Sequence, residues 1–467
     1  MAPVMKKEGT MPQKIRIVNG WVVTMDPSRR VIRNGTVTID HARIVSVGPP
    51  GSEAAADPTA EVIDAHGCAV LPGFINAHTH LYMTLGRTLG YDQPFEQWLP
   101  TQKNLIAQFD EEDFAACIRL GIGDNLRSGN TTILDNLALP AVWENRLYEA
   151  AIVGATELGA RYVLARGYTD QFNAPEYLEP LTAIEQRMRA LAKNQRGAAD
   201  GRIELMLSPM LPWALSRDGF RLTHRLAGEL DLRIHMHTAE TSNFAGLIEK
   251  AYGYRSNIRV YQEGGCLGPD VSLLGCAFLE PEEIGVIRET QTPVVLDPVC
   301  AMYIGAGMPP LRQLLAAGVP VGLGTNGLAA NGGQDMFESM KCATGLAKAA
   351  EQDATVFPQL RALEVATIDG ARALGLDGII GSIEPGKRAD LIVVDLDHVH
   401  AAPVLNVVAA LVFSAKGRDV RDVIVNGRVV VRNRRLLSFD ERRLMDRAFE
   451  SAQRSVDHAG LQGRITP

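Results

Sequence analysis

Between residues 69 and 327 one pattern recurs eight times, a short apolar run followed by a longer stretch of helical character. The runs are AVLPGFINAHTH (69–80), TTILDNLAL (131–139), ARYVLARGY (160–168), IELMLSPML (203–211), LRIHMHTAE (232–240), VSLLGCAFL (271–279), TPVVLDPV (292–299) and VPVGLGTNG (319–327). Segments such as DEEDFAACIRLGIGDNLRSG (110–129) separate them. Parallel strands need a long crossover, usually a helix, and strands covered on both faces read as near-continuous apolar runs. Eight such units predict a (β/α)₈ TIM barrel, whose chemistry sits at the C-terminal ends of the strands.

The flanks read differently. KIRIVNG (14–20), WVVTM (21–25), GTVTID (35–40) and ARIVSVG (42–48) are short strand-like runs, with Asn19-Gly20 and Asn34-Gly35 as hairpin-type turns. Strand signals return in ADLIVVDL (389–396) and DVIVNGRVVV (422–431). The expected organisation is a small composite β-sandwich domain from both chain ends, 1–70 and 381–435, around a barrel at 71–380. A helical tail at 436–467, placed to pack on a neighbouring subunit, follows. The run VVAALVF (407–413) is a buried strand or helix segment, far too short to span a membrane.

The net charge of −7, with no long basic stretch, argues against a nucleic-acid partner. Six scattered cysteines without a C-x-x-C pair fit reduced thiols in a cytoplasmic protein. Lys6 and Lys7 precede no apolar stretch, so no signal peptide is read, and no membrane association is expected.

His78 and His80 end the first run as H-x-H. Residues i and i+2 of a strand point to the same side, so two imidazoles there can converge on one cation. His237 ends the fifth run, and Glu240, three residues on, is placed to move protons to and from water. His235 reads as a barrel-interior residue. Asn326 ends the eighth run.

These features, with PGFINAHTH, HTAE, GLGTNG, DMFE (335–338) and GSIEPGKRADLIVVD (381–395), resemble the amidohydrolase superfamily from about residue 14 to 431. Within it, the chain resembles the branch of s-triazine hydrolases, cytosine- and guanine-type deaminases and adenosyl-type deaminases. The resemblance implies a barrel, a small composite β-domain and one divalent metal ion per subunit, cobalt or zinc, with iron or manganese as further choices. It assigns His78, His80 and His237 as ligands and Glu240 as proton shuttle, and implies a homo-oligomer, a dimer or tetramer.

The chain departs from that pattern at four places. Gly275 and Phe278 stand where the branch has histidines, Leu296 opens LDPVCA where it often has HCPVSN, and Asn326 replaces an Asp. Three neutral imidazoles and an amide leave the cation's charge uncompensated; a zinc held by three histidines brings the pKa of its water to ~7. Asn326 is then a weak ligand or a hydrogen-bond partner of that water, and Asp297 a replacement base. A site stripped of relay residues suits a leaving thiol, with a pKa near ~8.5, better than an amine. Met83, Trp98, Phe278, Leu296, Cys300 and Tyr303 suggest a pocket for a small apolar substrate.

This combination resembles thiocarbamate and phenylurea hydrolases. The expectation is therefore a metal-dependent hydrolase cleaving the C–S or C–N bond at the carbonyl of a neutral carbamoyl compound. The alternatives are a deaminase or dechlorinase of an N-heterocycle (s-triazine, pyrimidine or purine) and a catalytically degenerate relative.

Overall fold

A computed structural model describes residues 14–51, 58–93 and 95–464. Eight parallel strands form one sheet in sequential order: β1 (Phe74–Thr79), β2 (Asn130–Leu137), β3 (Arg161–Tyr168), β4 (Ile203–Pro209), β5 (Arg233–Thr238), β6 (Val271–Gly275), β7 (Val294–Leu296) and β8 (Val321–Leu323). The ring closes just beyond β8, where the Thr325 and Asn326 N–H groups both donate to the His78 carbonyl at 3.0 Å. Ile75, Leu134, Val163 and Val295 are fully buried in a core cluster of their own. The last two strands are only three residues long. Pro293 and Pro320 precede them, and the turns at Asp297 and Gly324 carry the chain away, so the apolar runs outlast the ladders.

The second sheet has nine strands drawn from both ends of the chain. Cys68–Pro72 pairs parallel with Lys14–Val23 on one side and antiparallel with Leu391–Asp395 on the other. Its core includes Ile15, Ile17, Val37, Val70 and Leu391. Two expected hairpin turns are not turns. Asn19-Gly20 and Asn34-Gly35 lie inside the strands Lys14–Val23 and Val31–Asp40, where Gly20 pairs with Gly35 across a shift of register. Both asparagines have positive φ, 65° and 52°, so the Asn-Gly signal marks bulges, which demand the same left-handed backbone as a tight turn. Asn426-Gly427 does turn a hairpin, between Val420–Val425 and Arg428–Arg432.

Barrel and sheet are tied by a bidentate ion pair, with Arg161 Nε and Nη2 donating to Asp390 at 2.7 and 3.1 Å, both side chains 1% exposed. Asp390 also accepts the Asn426 N–H at 2.7 Å, so the buried charge is well satisfied. Val407–Phe413 is a helix. The tail helix, Glu441–His458, buries Leu444 and Ala448 and packs on the Glu111–Arg127 helix of its own barrel, leaving Phe449 exposed. All six cysteines are unpaired. No described helix is long and apolar enough to cross a membrane.

Candidate active site

His78 and His80 come from the end of β1 and His237 from the end of β5, and one ring nitrogen from each lies within 4.8 Å of the others. The Nε2 atoms of His78 and His80 are 3.2 Å apart, and those of His80 and His237 are 3.3 Å apart. The opposite ring nitrogens fix how two of the rings are held. His80 Nδ1–H donates to the Asn136 carbonyl at 2.6 Å. His78 Nδ1 lies 2.8 Å from His235 Nε2, and His235 Nδ1 lies 2.8 Å from Ser272 Oγ. A self-consistent proton assignment runs His78 Nδ1–H to His235 and His235 Nδ1–H to Ser272, which leaves His78 Nε2 bare. His235 is thus the interior residue the sequence suggested, and it aims His78.

Burial holds these imidazoles below the ordinary histidine range, His80 at about 4 and His78 and His237 well down. Neutral rings with bare Nε2 atoms crowded at one point have no mutual hydrogen bonds to share. Their lone pairs fit a divalent cation that takes imidazole nitrogen, with outer partners orienting the ligands.

Glu240, Asn326 and Cys300 line the pocket in which His80 and His237 lie. Asn326 sits in left-handed backbone, φ 59°, just past β8. Its Oδ1 accepts the Gly327 N–H at 2.7 Å and its Nδ2 donates to Asp297 Oδ2 at 2.6 Å. Both polar ends of the amide are therefore engaged within the protein. Beneath it, Gln334 Nε2 donates to the Asn326 carbonyl at 3.2 Å, and Asn76 Nδ2 donates to Thr325 Oγ1 at 2.7 Å.

Burial raises the Glu240 carboxyl, and the Asp297 charge raises it further. Asp297 is also raised by burial, against hydrogen bonds from Asn326 and Cys300 that favour its anion. Two interacting carboxyls in one dry site bind a proton more readily than either would in water. The space left by the absent sixth-strand histidine is closed by the protein itself. Gly275 has φ 91°, and a Cβ there would stand 3.0 Å from the Thr238 carbonyl and 3.1 Å from Glu240 Cβ.

Of the residues expected to touch substrate, Met83, Trp98 and Cys300 line the pocket. Leu296 is buried and borders a small cavity behind Glu240, with Gly275 and Asp297. Phe278 and Tyr303 are 45% and 49% exposed; Phe278 borders an outer groove and Tyr303 meets the Tyr91 ring edge-on at 5.6 Å. The sequence reading missed Tyr82, Lys103, Asn173 and Tyr177, which also line the pocket. Tyr82 was findable, two residues beyond His80 in the same run; the other three come from a helix and a loop without a motif.

A TIM barrel with three convergent imidazoles at its catalytic end defines a metal-dependent hydrolase. Residues 69–430 match the model of the amidohydrolase family. The chain belongs to that family. It is 34% identical over 449 residues to a 5'-deoxyadenosine deaminase of Methanosarcina acetivorans, covering 95% of this chain and 99% of the relative. It is 33% identical over 447 residues to a 5-methylthioadenosine/S-adenosylhomocysteine deaminase of Syntrophomonas wolfei, covering 95% and 99%. An adenosine deaminase from Xanthomonas campestris with bound zinc superposes with a TM-score of 0.87 at 28% identity, covering 96% of this chain and 100% of that one. A variant of atrazine chlorohydrolase from Arthrobacter aurescens, complexed with zinc and atraton, gives 0.88 at 25%, covering 94% and 100%.

These relatives overturn the expected thiocarbamate or urea hydrolysis: the curated relatives over nearly the full chain are deaminases. The physical premise also fails. The substitutions at Gly275, Phe278, Leu296 and Asn326 do not strip the site of carboxyls, because Asp297 at the end of β7 accepts a hydrogen bond from Asn326 Nδ2 and its charge acts on Glu240. The pocket is not uniformly apolar either, since it includes Lys103, Asn173 and Tyr177.

Proposed function

We propose that this protein is a hydrolytic deaminase that replaces the exocyclic amine of an N-heterocycle, of the adenosine type, by oxygen. The observation that carries the reading is the Glu240 and Asp297 carboxyl pair beside the three imidazoles, supported by the deaminase relatives. His78, His80 and His237 would hold one divalent cation, with zinc favoured by the zinc-bound neighbours. Such a cation would supply Lewis acidity toward water, making it a nucleophile near neutral pH.

The chain's own groups handle the protons. Deamination forms a C–O bond from water, breaks the C–N bond and releases ammonia. Glu240, raised so that it holds a proton near neutrality, donates to the ring nitrogen beside the reacting carbon. Asp297, kept anionic by the Asn326 amide and the Cys300 thiol, accepts the proton that the attacking water loses. That proton then passes to the departing amine, which leaves as ammonia; the ring nitrogen keeps the proton from Glu240, and the second proton of the added water, lost as the C–O bond becomes a carbonyl, returns to Glu240. Asn326 acts by holding Asp297 in place.

The test is ammonia release by the zinc- or cobalt-loaded protein on 5'-deoxyadenosine, adenosine, aminopyrimidines and amino-s-triazines. Turnover of the adenine nucleosides is the expected result. Failure to release ammonia from any of these amines, in a protein shown to carry metal, overturns the reading.

A further inference from the structure

Glu240 stands between two cavities. The pocket that His80 and His237 line lies in front of it, and a second, small cavity lies behind. Buried Asp297 and Gly275 bound the rear cavity, and half-buried Ala277 and exposed Gly307 carry its wall to the surface, with Ala306 between. Glu240 and Asp297 are the only polar side chains among its described lining residues. Its free volume is about 10 Å³, room for one molecule the size of water. Small residues keep it open. A Cβ at Gly307 would stand 3.4 Å from the Phe278 ring and 3.6 Å from Ala277 Cβ, so Phe278, 45% exposed, flanks the outer end. A Cβ at Gly275 would stand 3.1 Å from Glu240 Cβ.

Each turnover of a deaminase consumes one water and frees one ammonia, a molecule of nearly the same size. The C–O bond forms, the C–N bond breaks, and the amine departs with the proton that Asp297 took from the water. The heterocycle reacts at the end of the front pocket that holds the imidazoles. Its product ring therefore stands between the ammonia and the mouth by which the substrate entered. Asp297, which hands over the proton, borders the rear cavity. We propose that the cavity behind Glu240 and Asp297 is an exit for ammonia, which leaves past Ala306 and Gly307 while the heterocyclic product still fills the front pocket. This exit rests on the deaminase reading and adds an order of product release to it. Apolar walls suit the neutral molecule, because an ammonium ion would lose its hydration there at far greater cost. A passage that holds one water-sized molecule does not admit methylamine, so a methylated amine must leave by the front.

Ala306→Val and Ala277→Val narrow the passage from two separate stretches of chain, and either one suffices if the other misfolds. Ala306→Gly leaves it open. Rates are measured with the metal-loaded proteins on 5'-deoxyadenosine and on its analogue methylated at the exocyclic amine. Ammonia leaves after the C–N bond is broken, so closing its exit lowers kcat and spares kcat/KM. Expected on 5'-deoxyadenosine is a fall in kcat of about tenfold in the valine variants, with kcat/KM within about twofold of the parent's and a burst of deaminated product in the first turnover. Ala306→Gly keeps the parent's kcat, and kcat on the methylated analogue is the same in all the proteins. A fall in kcat/KM as large as that in kcat shows damage to the site and overturns the exit. An unchanged kcat in the folded valine variants, or an equal fall on the two substrates, overturns it as well. In each of these cases the parent still releases ammonia and the deaminase reading stands. A metal-loaded parent that releases ammonia from none of the amines overturns the reading and the exit together.

Discussion

The Asn326 side-chain amide donates to Asp297 Oδ2 at 2.6 Å, joining the turn after β8 to the end of β7. The carboxylate that sequence comparison places at the eighth strand is absent, and a carboxylate one strand earlier stands within hydrogen-bonding distance of the vacancy. Asn326→Asp would put two carboxyl oxygens where a donor and an acceptor now meet. One of the pair must then take a proton, and Asp297 loses the donor that favours its anion. Expected is a fall in kcat of about a hundredfold, with the acid limb of the pH profile displaced upward. The exchange Asp297→Asn with Asn326→Asp restores a donor–acceptor pair with the charge on the other strand. It should recover at least about tenfold of the loss. Steady-state rates across pH for the single and double variants check this, and a double variant no better than the single one refutes the pairing.

The outer partners of the imidazoles give a second prediction. His235 does not line the pocket but fixes the ring of His78 and is itself held by Ser272. Removing such a partner lowers metal affinity by about 10–100-fold while leaving the three ligand nitrogens in place. His235→Ala, measured by competition with a chromophoric chelator, should show that loss, with a smaller one in Ser272→Ala. Activity at saturating metal should recover substantially in His235→Ala, which separates aiming of a ligand from collapse of the site. Affinity equal to the parent's would show that His78 needs no aiming.

Asp135 supplies a pH-dependent term in stability. Burial raises its carboxyl from the ordinary 3.8 to about 7, against hydrogen bonds from the Tyr162 hydroxyl at 2.6 Å and the Leu81 N–H at 2.9 Å. The folded protein binds this proton more tightly than the unfolded chain. The contribution is therefore fully present below about pH 4 and is lost as pH rises through about 7. At 1.36 kcal/mol per unit, the full span corresponds to about 4 kcal/mol. Asp135→Asn keeps an acceptor for Leu81 and a polar partner for Tyr162 without the titration. Urea unfolding of the two proteins at pH 5 and pH 8 should show the variant gaining relative to the parent at the higher pH. A constant difference between them would mean that Asp135 does not titrate in this window.

The barrel and its metal-binding face were legible in the chain because each depends on local pattern. Covered parallel strands must be apolar on both faces, and H-x-H at a strand end places both rings on one side. The hairpin turns at Asn19 and Asn34 misled because Asn-Gly reports a left-handed backbone, and a bulge needs that as much as a turn does. Both carboxyls of the proposed proton relay were named from the sequence, but only one of them from a local pattern. Glu240 follows His237 in the same run, whereas the contact of Asp297 with Asn326 exists only once β7 and β8 lie side by side in the ring. Nothing in the spacing of Tyr82, Lys103, Asn173 and Tyr177 announces a shared wall, since they come in two pairs from the connections after β1 and β3, brought together by closure of the barrel. The inference from lost residues to lost chemistry failed for the same reason. It gave the missing residues more weight than Asp297, named there as a replacement base, whose contact with Asn326 forms only when the ends of β7 and β8 meet.

Gly275 tests that last point directly. If the absent histidine had left a vacancy, a side chain at this position would be tolerated, and a histidine would restore a ligand. The backbone there is at φ 91°, and the first atom of any side chain would stand 3.0 Å from the Thr238 carbonyl and 3.1 Å from Glu240 Cβ. Gly275→Ala therefore combines left-handed strain with a close contact against the end of β5, a destabilisation of about 1–3 kcal/mol. Because the contact is with Glu240, the variant should also lose kcat more than KM, the side chain being pushed from its place beside Asp297. Gly275→His should fold less well still and bind no more metal than the parent. Urea midpoints, metal content and kcat of the two variants decide it. A stable Gly275→His protein with raised metal affinity would show that the site is a damaged version of its relatives' and not a rearranged one.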